Sequence, residues 1–242
     1  CMTSRMAPAP FESTQFRFRL LYDRSHSAFA GALFSGLVVG SFWSLGAIFA
    51  SRYSTSQTDV TWFMSAAIGG GALLQYPIGW LSDRVDRRLI LLALCLVGGL
   101  SSVAVAISIN HPLFLVAVFL FGATLMPVYA VSLATAADVS SSDEFVGIGT
   151  SVLLLHALAA AVAPLPLGKL MTLFGPAALF VSFSVICAVF ALLFFWLTRA
   201  PRAVSVSEQT PFSAAASDAA PVSFELDPRS SEQNPAALDN AK

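Results

Sequence analysis

Charge is what this 242-residue chain has least of: only 11% of its residues are Asp, Glu, Lys or Arg, against 56% hydrophobic ones. The formal net charge is −1, so no bulk basic surface points to nucleic acid. Cysteine is scarce too. Cys95 and Cys187 fall far apart in apolar stretches, and Cys1 heads the chain. That pattern fits small packing residues better than a disulfide or a metal site. No cleavable signal pattern opens the sequence, and nothing in it calls for a cofactor.

Long apolar runs are abundant. Six stretches near or above the ~20 residues that cross a bilayer are legible: 28–50, 61–82, 89–109, 113–137, 145–167 and 176–198. In lipid each must be a helix, because its backbone groups find no water there. The fold class read from this pattern is an all-α membrane protein with six transmembrane helices. The lipid bilayer is its first expected partner.

The scarce charges are unevenly placed. Arg5, Arg17, Arg19 and Arg24 precede the first span, Arg84, Arg87 and Arg88 fill the second loop, and Arg199 and Arg202 follow the last span. With six spans all of these share one side, while Arg52 and Lys169 hold the other. By the positive-inside bias both termini are expected in the cytoplasm. A first residue that is Cys fits either a lipid-anchored mature chain or a fragment of a longer protein. The arginine-rich start favours the fragment. Three regions follow: 1–27 as a cytoplasmic N-terminal segment, 28–198 as the membrane domain, and 199–242 as a disordered cytoplasmic tail rich in Ala, Ser and Pro.

A faint repeat runs through the domain. "QYPIGWL" ends the second span with Pro77, Gly79 and Leu81, and "PLPLGKL" ends the fifth with Pro166, Gly168 and Leu170. The two fall at matching positions of opposite topology, as expected of two inverted three-helix repeats.

The densest knot of charge is "GWLSDRVDRR", Gly79 to Arg88. Asp83 there sits at a helix C-terminus, where the macrodipole disfavours an anion, so it needs a compensating cation or another helix's N-terminus. The stretch resembles the signature loop of the major facilitator superfamily, G-x-L-[AS]-D-[RK]-x-G-[RK]-[RK]. Gly79, Leu81, Ser82, Asp83, Arg84, Arg87 and Arg88 fit, while Asp86 stands where Gly is usual and puts the tight backbone turn in question. The arginine-bearing start and the tail make the chain similar to the C-terminal six-helix half of such a transporter. "YPIGWLSDRVDRR" with "MPVYAVSLATAAD" resembles the YcaD-like bacterial members.

The resemblance implies secondary transport of a small molecule across the bacterial inner membrane by alternating access. It also implies a missing N-terminal six-helix half as partner. Gly79, Asp83, Arg84, Arg87 and Arg88 would form a gating latch, with Asp83 capping a helix of that half. The same cluster can be a topology signal with ordinary surface ion pairs, worth ~0–1 kcal/mol each. Asp138, Asp143 and Glu144, in the fourth loop on the same side, are candidate charge partners.

In this family the first and fourth helices of each half line the path, the second and fifth gate it, and the third and sixth face outward. That nominates Trp43, Gln75, Tyr129 and His156 as path residues, with Ser35, Ser41, Ser44, Thr124 and Ser151 nearby in sequence. An intramembrane His is a functional candidate, and the spans hold no mid-membrane Asp, Glu, Lys or Arg. Proton coupling would then fall to His156 or to the missing half. Gly36 and Gly40, with Gly69 to Gly71, suit close helix packing or a flexible gate.

Of three competing functions, two remain open from sequence and one fails on geometry. An intramembrane serine protease would need Ser151 and His156 together. Five residues apart on one helix, they point about 140° away from each other, beyond nucleophile–base reach. A sensor or scaffold on the six-helix fold, or a half-transporter pairing with itself, keeps the same architecture.

Overall fold

The computed structural model describes residues 18–109, 111–140 and 142–199. The first 17 residues, Cys1 among them, and the proposed tail beyond Arg199 lie outside the described residues, while Arg199 itself ends α9. Every regular element among the described ones is helical: α1 (Phe18–Arg24), α2 (His26–Ser35), a π-helical turn (Gly36–Gly40), α3 (Ser41–Tyr53), α4 (Gln57–Ser82), α5 (Arg87–Ile107), α6 (Phe114–Ala137), α7 (Ser142–Val162), α8 (Pro164–Phe174) and α9 (Ala178–Arg199). The π turn joins α2 and α3 into one rod, His26–Tyr53.

Five rods are long and apolar enough to cross a membrane: His26–Tyr53, Arg87–Ile107, Phe114–Ala137, Val146–Phe174 and Ala178–Arg199. The expected second span, α4, is long enough at 26 residues but is not among them. Gly69 to Gly71, Gln75, Tyr76 and Pro77 dilute its apolar character. The fifth rod also outruns its expected end at residue 167. Pro164 occupies the first turn of α8, where a missing N–H removes no helical bond.

Packing follows from the side chains available. Lipid tails are as apolar as leucine, so helices associate through close fit rather than through a hydrophobic drive. α4 lies along α6, α5 along α9 and α6, and α7 along α2 and the π turn. Phenylalanines fill the centre: Phe121 stacks on Phe183 at 5.5 Å, and Phe49 meets Phe180 edge-on at 4.7 Å. Cys95 and Cys187 are buried in the same core as free thiols, in keeping with the packing role read from sequence.

Glycines set the closest approaches. A Cβ on Gly122 would strike the backbone of Ala67, and one on Gly70 the backbone of Phe119. Across the molecule a Cβ on Gly36 would strike the His156 carbonyl oxygen, and one on Gly40 the Cα of Ala160. These glycines act by having no side chain. No non-glycine residue among those described has positive φ.

Candidate gating cluster

The charged residues gather at one end of the bundle. α4 stops at Ser82, with Asp83 as its C-cap, and the Asp83 N–H donates to the Gly79 carbonyl at 3.2 Å. A short turn follows, and α5 begins at Arg87. Asp86, the departure from the family pattern, sits at φ −55°, ψ 118°, a conformation open to any residue. It also does what glycine cannot. Its Oδ1 accepts from the Arg88 N–H at 3.0 Å, capping α5, and from Arg88 Nε at 3.3 Å. Replacing Asp86 by Gly or Ala therefore removes the carboxylate from both bonds. The expected cost is about 1 kcal/mol for Ala and less for Gly, read as a small fall in unfolding midpoint in detergent.

Arg87 is the largest fully buried side chain described, 2% exposed. Its guanidinium donates to Asp138 Oδ1 at 2.9 Å and to Asp83 Oδ1 at 3.2 Å. Asp138 is the C-cap of α6 and is itself buried. All three groups are misplaced with respect to their own helices. Two carboxylates stand at C-termini and one cation at an N-terminus, each against the local dipole. Together they compensate one another. The cation that Asp83 requires is thus Arg87, from the next helix.

The remaining arginines divide. Arg88 Nη1 donates to the Leu197 carbonyl at 2.9 Å, tying α5 to the end of α9. Arg84 turns away and lies 3.6 Å over the exposed Trp80 ring. Arg24 donates to both carboxylate oxygens of Glu144, at 3.2 and 3.3 Å. Of the three candidate acids, Asp138 meets the signature loop, Glu144 meets Arg24 instead, and the side chain of Asp143 lies outside the described residues. Gly79 is buried in the last turn of α4.

The path candidates also divide. His156 and Tyr129 come together, rings edge to face at 5.0 Å, both buried between α2, α6 and α7. His156 Nδ1 lies 2.8 Å from Ser35 Oγ, and that hydroxyl also lies 2.8 Å from the Ala32 carbonyl. One hydroxyl hydrogen cannot serve both, so the full pair of bonds has Nδ1–H donating to Ser35 and Ser35 donating to Ala32. This is the serine–histidine contact that the helix spacing denies to Ser151, which donates to the Gly147 carbonyl. Ser35 is fully buried, and its proton is held by its own helix. The pair clamps α7 to the residue preceding the π turn. Trp43 stands on α3, 42% exposed and edge-on to Phe42, and Gln75 is half-buried on α4.

Sequence reasoning missed Asp86 as a cap, Arg24 as the partner of Glu144, and the π turn. The cap had a signal, an Asp just ahead of a long apolar helix. The Arg24–Glu144 pair is separated by 120 residues in sequence, and the π turn packs on α7.

Comparison with known proteins gives the family. The profile of the Major Facilitator Superfamily matches residues 28–229. The chain is 27% identical over 184 residues to the uncharacterised MFS-type transporter YE1530 of Yersinia enterocolitica, covering 76% of this chain and 46% of that protein. It is 26% identical over 163 residues to the uncharacterised MFS-type transporter YcaD of Escherichia fergusonii, covering 67% and 42%. Against YcaD of Escherichia coli the identity is 25% over 182 residues, covering 75% and 47%. The chain spans less than half the length of these relatives.

Proposed function

The chain belongs to the major facilitator superfamily, and on that premise we propose that it forms the C-terminal six-helix half of a secondary transporter that moves a small molecule by alternating access. The arginine-rich end then faces the cytoplasm of a bacterial cell, and the protein sits in the inner membrane. α4 is the sixth crossing. Its 26 residues at ~1.5 Å each reach roughly 39 Å, more than the ~30 Å of a hydrocarbon core.

The packing supports two inverted repeats. Let the first unit be the α2–α3 rod, α4 and α5, and the second α6, the α7–α8 rod and α9. Exchanging the units turns the α4–α6 contact into the α7–α2 contact and leaves α5–α9 as its own image. Both exchanged contacts are closed by glycine against backbone. The exits "QYPIGWL" and "PLPLGKL" fall at opposite ends: α4 finishes beside Arg87, whereas α8 packs on α3.

The exposed faces differ in chemistry. α5 and α9 expose aliphatic side chains such as Leu96, Leu100, Val181 and Val185, suited to lipid. α3 and α4 expose Trp43, Ser44, Tyr76 and Trp80, suited to a partner half and a substrate path. Trp43 and Gln75 are the path residues of this reading. Tyr129 and His156 support the path from behind, through the Ser35 clamp.

The observation that carries the proposal is the Asp83–Arg87–Asp138 bridge, which ties the junction of the second and third helices of the first unit to the end of the first helix of the second. As a latch it closes the cytoplasmic side and breaks when that side opens. The test uses the complete reading frame in proteoliposomes, with a panel of labelled small molecules to find the substrate. Asp83→Asn should insert normally and transport at least about tenfold more slowly, a loss of ~1.4 kcal/mol in the rate-limiting step. Unchanged uptake in this variant would reduce the cluster to a topology signal.

A further inference from the structure

Helix α1 has no place in a six-span plan, yet it is docked on the bundle. Its described residues, Phe18–Arg24, pack on α2 and α7. Leu21 is completely buried in a small cluster with Ala32, Tyr129, Leu133, Ile148 and Val152, separate from the phenylalanine core. Tyr22 meets His26 at 4.5 Å and Phe29 at 5.5 Å, both edge-on. Arg24 bridges to Glu144 in the first turn of α7. Ser25 makes the corner. At φ −150° it leaves the helical path, its N–H donates to the Leu21 carbonyl at 2.9 Å, and its Oγ accepts from the Ala28 N–H at 3.2 Å.

We propose that α1 is a strap that holds the charged end of α7 against α2 and α6, and that its release is part of opening that end. The proposal rests on the transport reading for its purpose and on these contacts for its existence. Three features make the strap a two-state element. One is an apolar anchor, Leu21, confined to a satellite cluster. Another is the Arg24–Glu144 charge bridge to the start of α7. The third is a serine corner whose Oγ caps α2 and whose N–H bonds back to α1. The anchor also reaches inward. Tyr129 shares the Leu21 cluster and lies against His156, whose Nδ1 holds Ser35 at the edge of the π turn. Undocking α1 therefore loosens the same α2–α7 contact that the Ser35 clamp secures.

Hydrogen–deuterium exchange on the full chain in lipid nanodiscs tests this. Leu21→Ala should speed exchange in 18–24 and in 146–153 by at least about tenfold, with α5 and α9 unchanged. Arg24→Glu should act in the same direction, and Arg24→Glu combined with Glu144→Arg should restore protection. Two results overturn the strap. In one, α1 exchanges freely while the start of α7 keeps its protection. In the other, protection falls throughout the bundle, which makes Leu21 an ordinary core residue. Transport is not the readout, so failure of the transport reading and failure of the strap are separate outcomes.

Discussion

Gly122→Ala should wedge α4 away from α6 and lower the stability of the bundle at the top of the ~1–3 kcal/mol range for overpacked cores, or beyond it. The added carbon would lie 2.5 Å from the Ala67 Cα and 2.6 Å from its carbonyl carbon. Both are backbone atoms, so no rotamer change relieves the clash. Gly70→Ala should behave alike, because its Cβ would meet Phe119 backbone and lie 3.0 Å from the Ala123 nitrogen. The neighbouring Gly69 is the control. Its nearest would-be contact is a Phe119 ring atom at 4.0 Å, and alanine is the better helix former by about 1 kcal/mol. Gly69→Ala should therefore be neutral or stabilising. Unfolding midpoints of the three variants in detergent decide the matter. Equal behaviour of Gly69→Ala and Gly70→Ala would mean that the glycines serve flexibility rather than fit.

Arg87→Ala should be the most damaging charge substitution. It removes a cation that bonds both Asp83 and Asp138. Stripping one partner from a buried ion pair costs about 3–5 kcal/mol, because the remaining charge stays desolvated. Asp138 is 7% exposed and Asp83 35%, so most of the loss falls on Asp138. Adding Asp138→Asn to Arg87→Ala should recover a large part of it, by removing the stranded charge. A denaturant titration of the single and double variants measures the recovery. Additive losses would place Asp138 outside the bridge. By contrast Arg84→Ala should leave stability nearly unchanged, since Arg84 lies on an exposed tryptophan away from this bridge.

Much of this molecule was legible before any fold was known, for reasons that differ by element. Five apolar rods announce themselves because a helix in lipid must be apolar over its whole length. α4 follows from the same pattern, yet it is not among the five, and its Gly70 and Gly71 answer to α6 rather than to lipid. The signature loop was legible because its charges stand out against an almost uncharged chain. The pairing within it was not. Arg84, Arg87 and Arg88 look interchangeable in sequence, and helix phase sends each to a different place: an aromatic face, two carboxylates, and a neighbouring helix end. A proline inside a helix removes a bond, yet Pro164 opens α8. At the first turn of α8 there is no such bond to remove.

By itself the sequence determined the helical class, the approximate bounds of the rods and the family, because hydrophobic length and a short charge motif are local properties. Only the tertiary structure decided that Arg87 is buried between Asp83 and Asp138, that His156 holds Ser35 rather than Ser151, and that α1 is anchored through Leu21 and Glu144. Each of these contacts joins surfaces of separate helices. Which surfaces meet is set by where glycine lets two backbones touch, and that depends on the packing of the whole bundle.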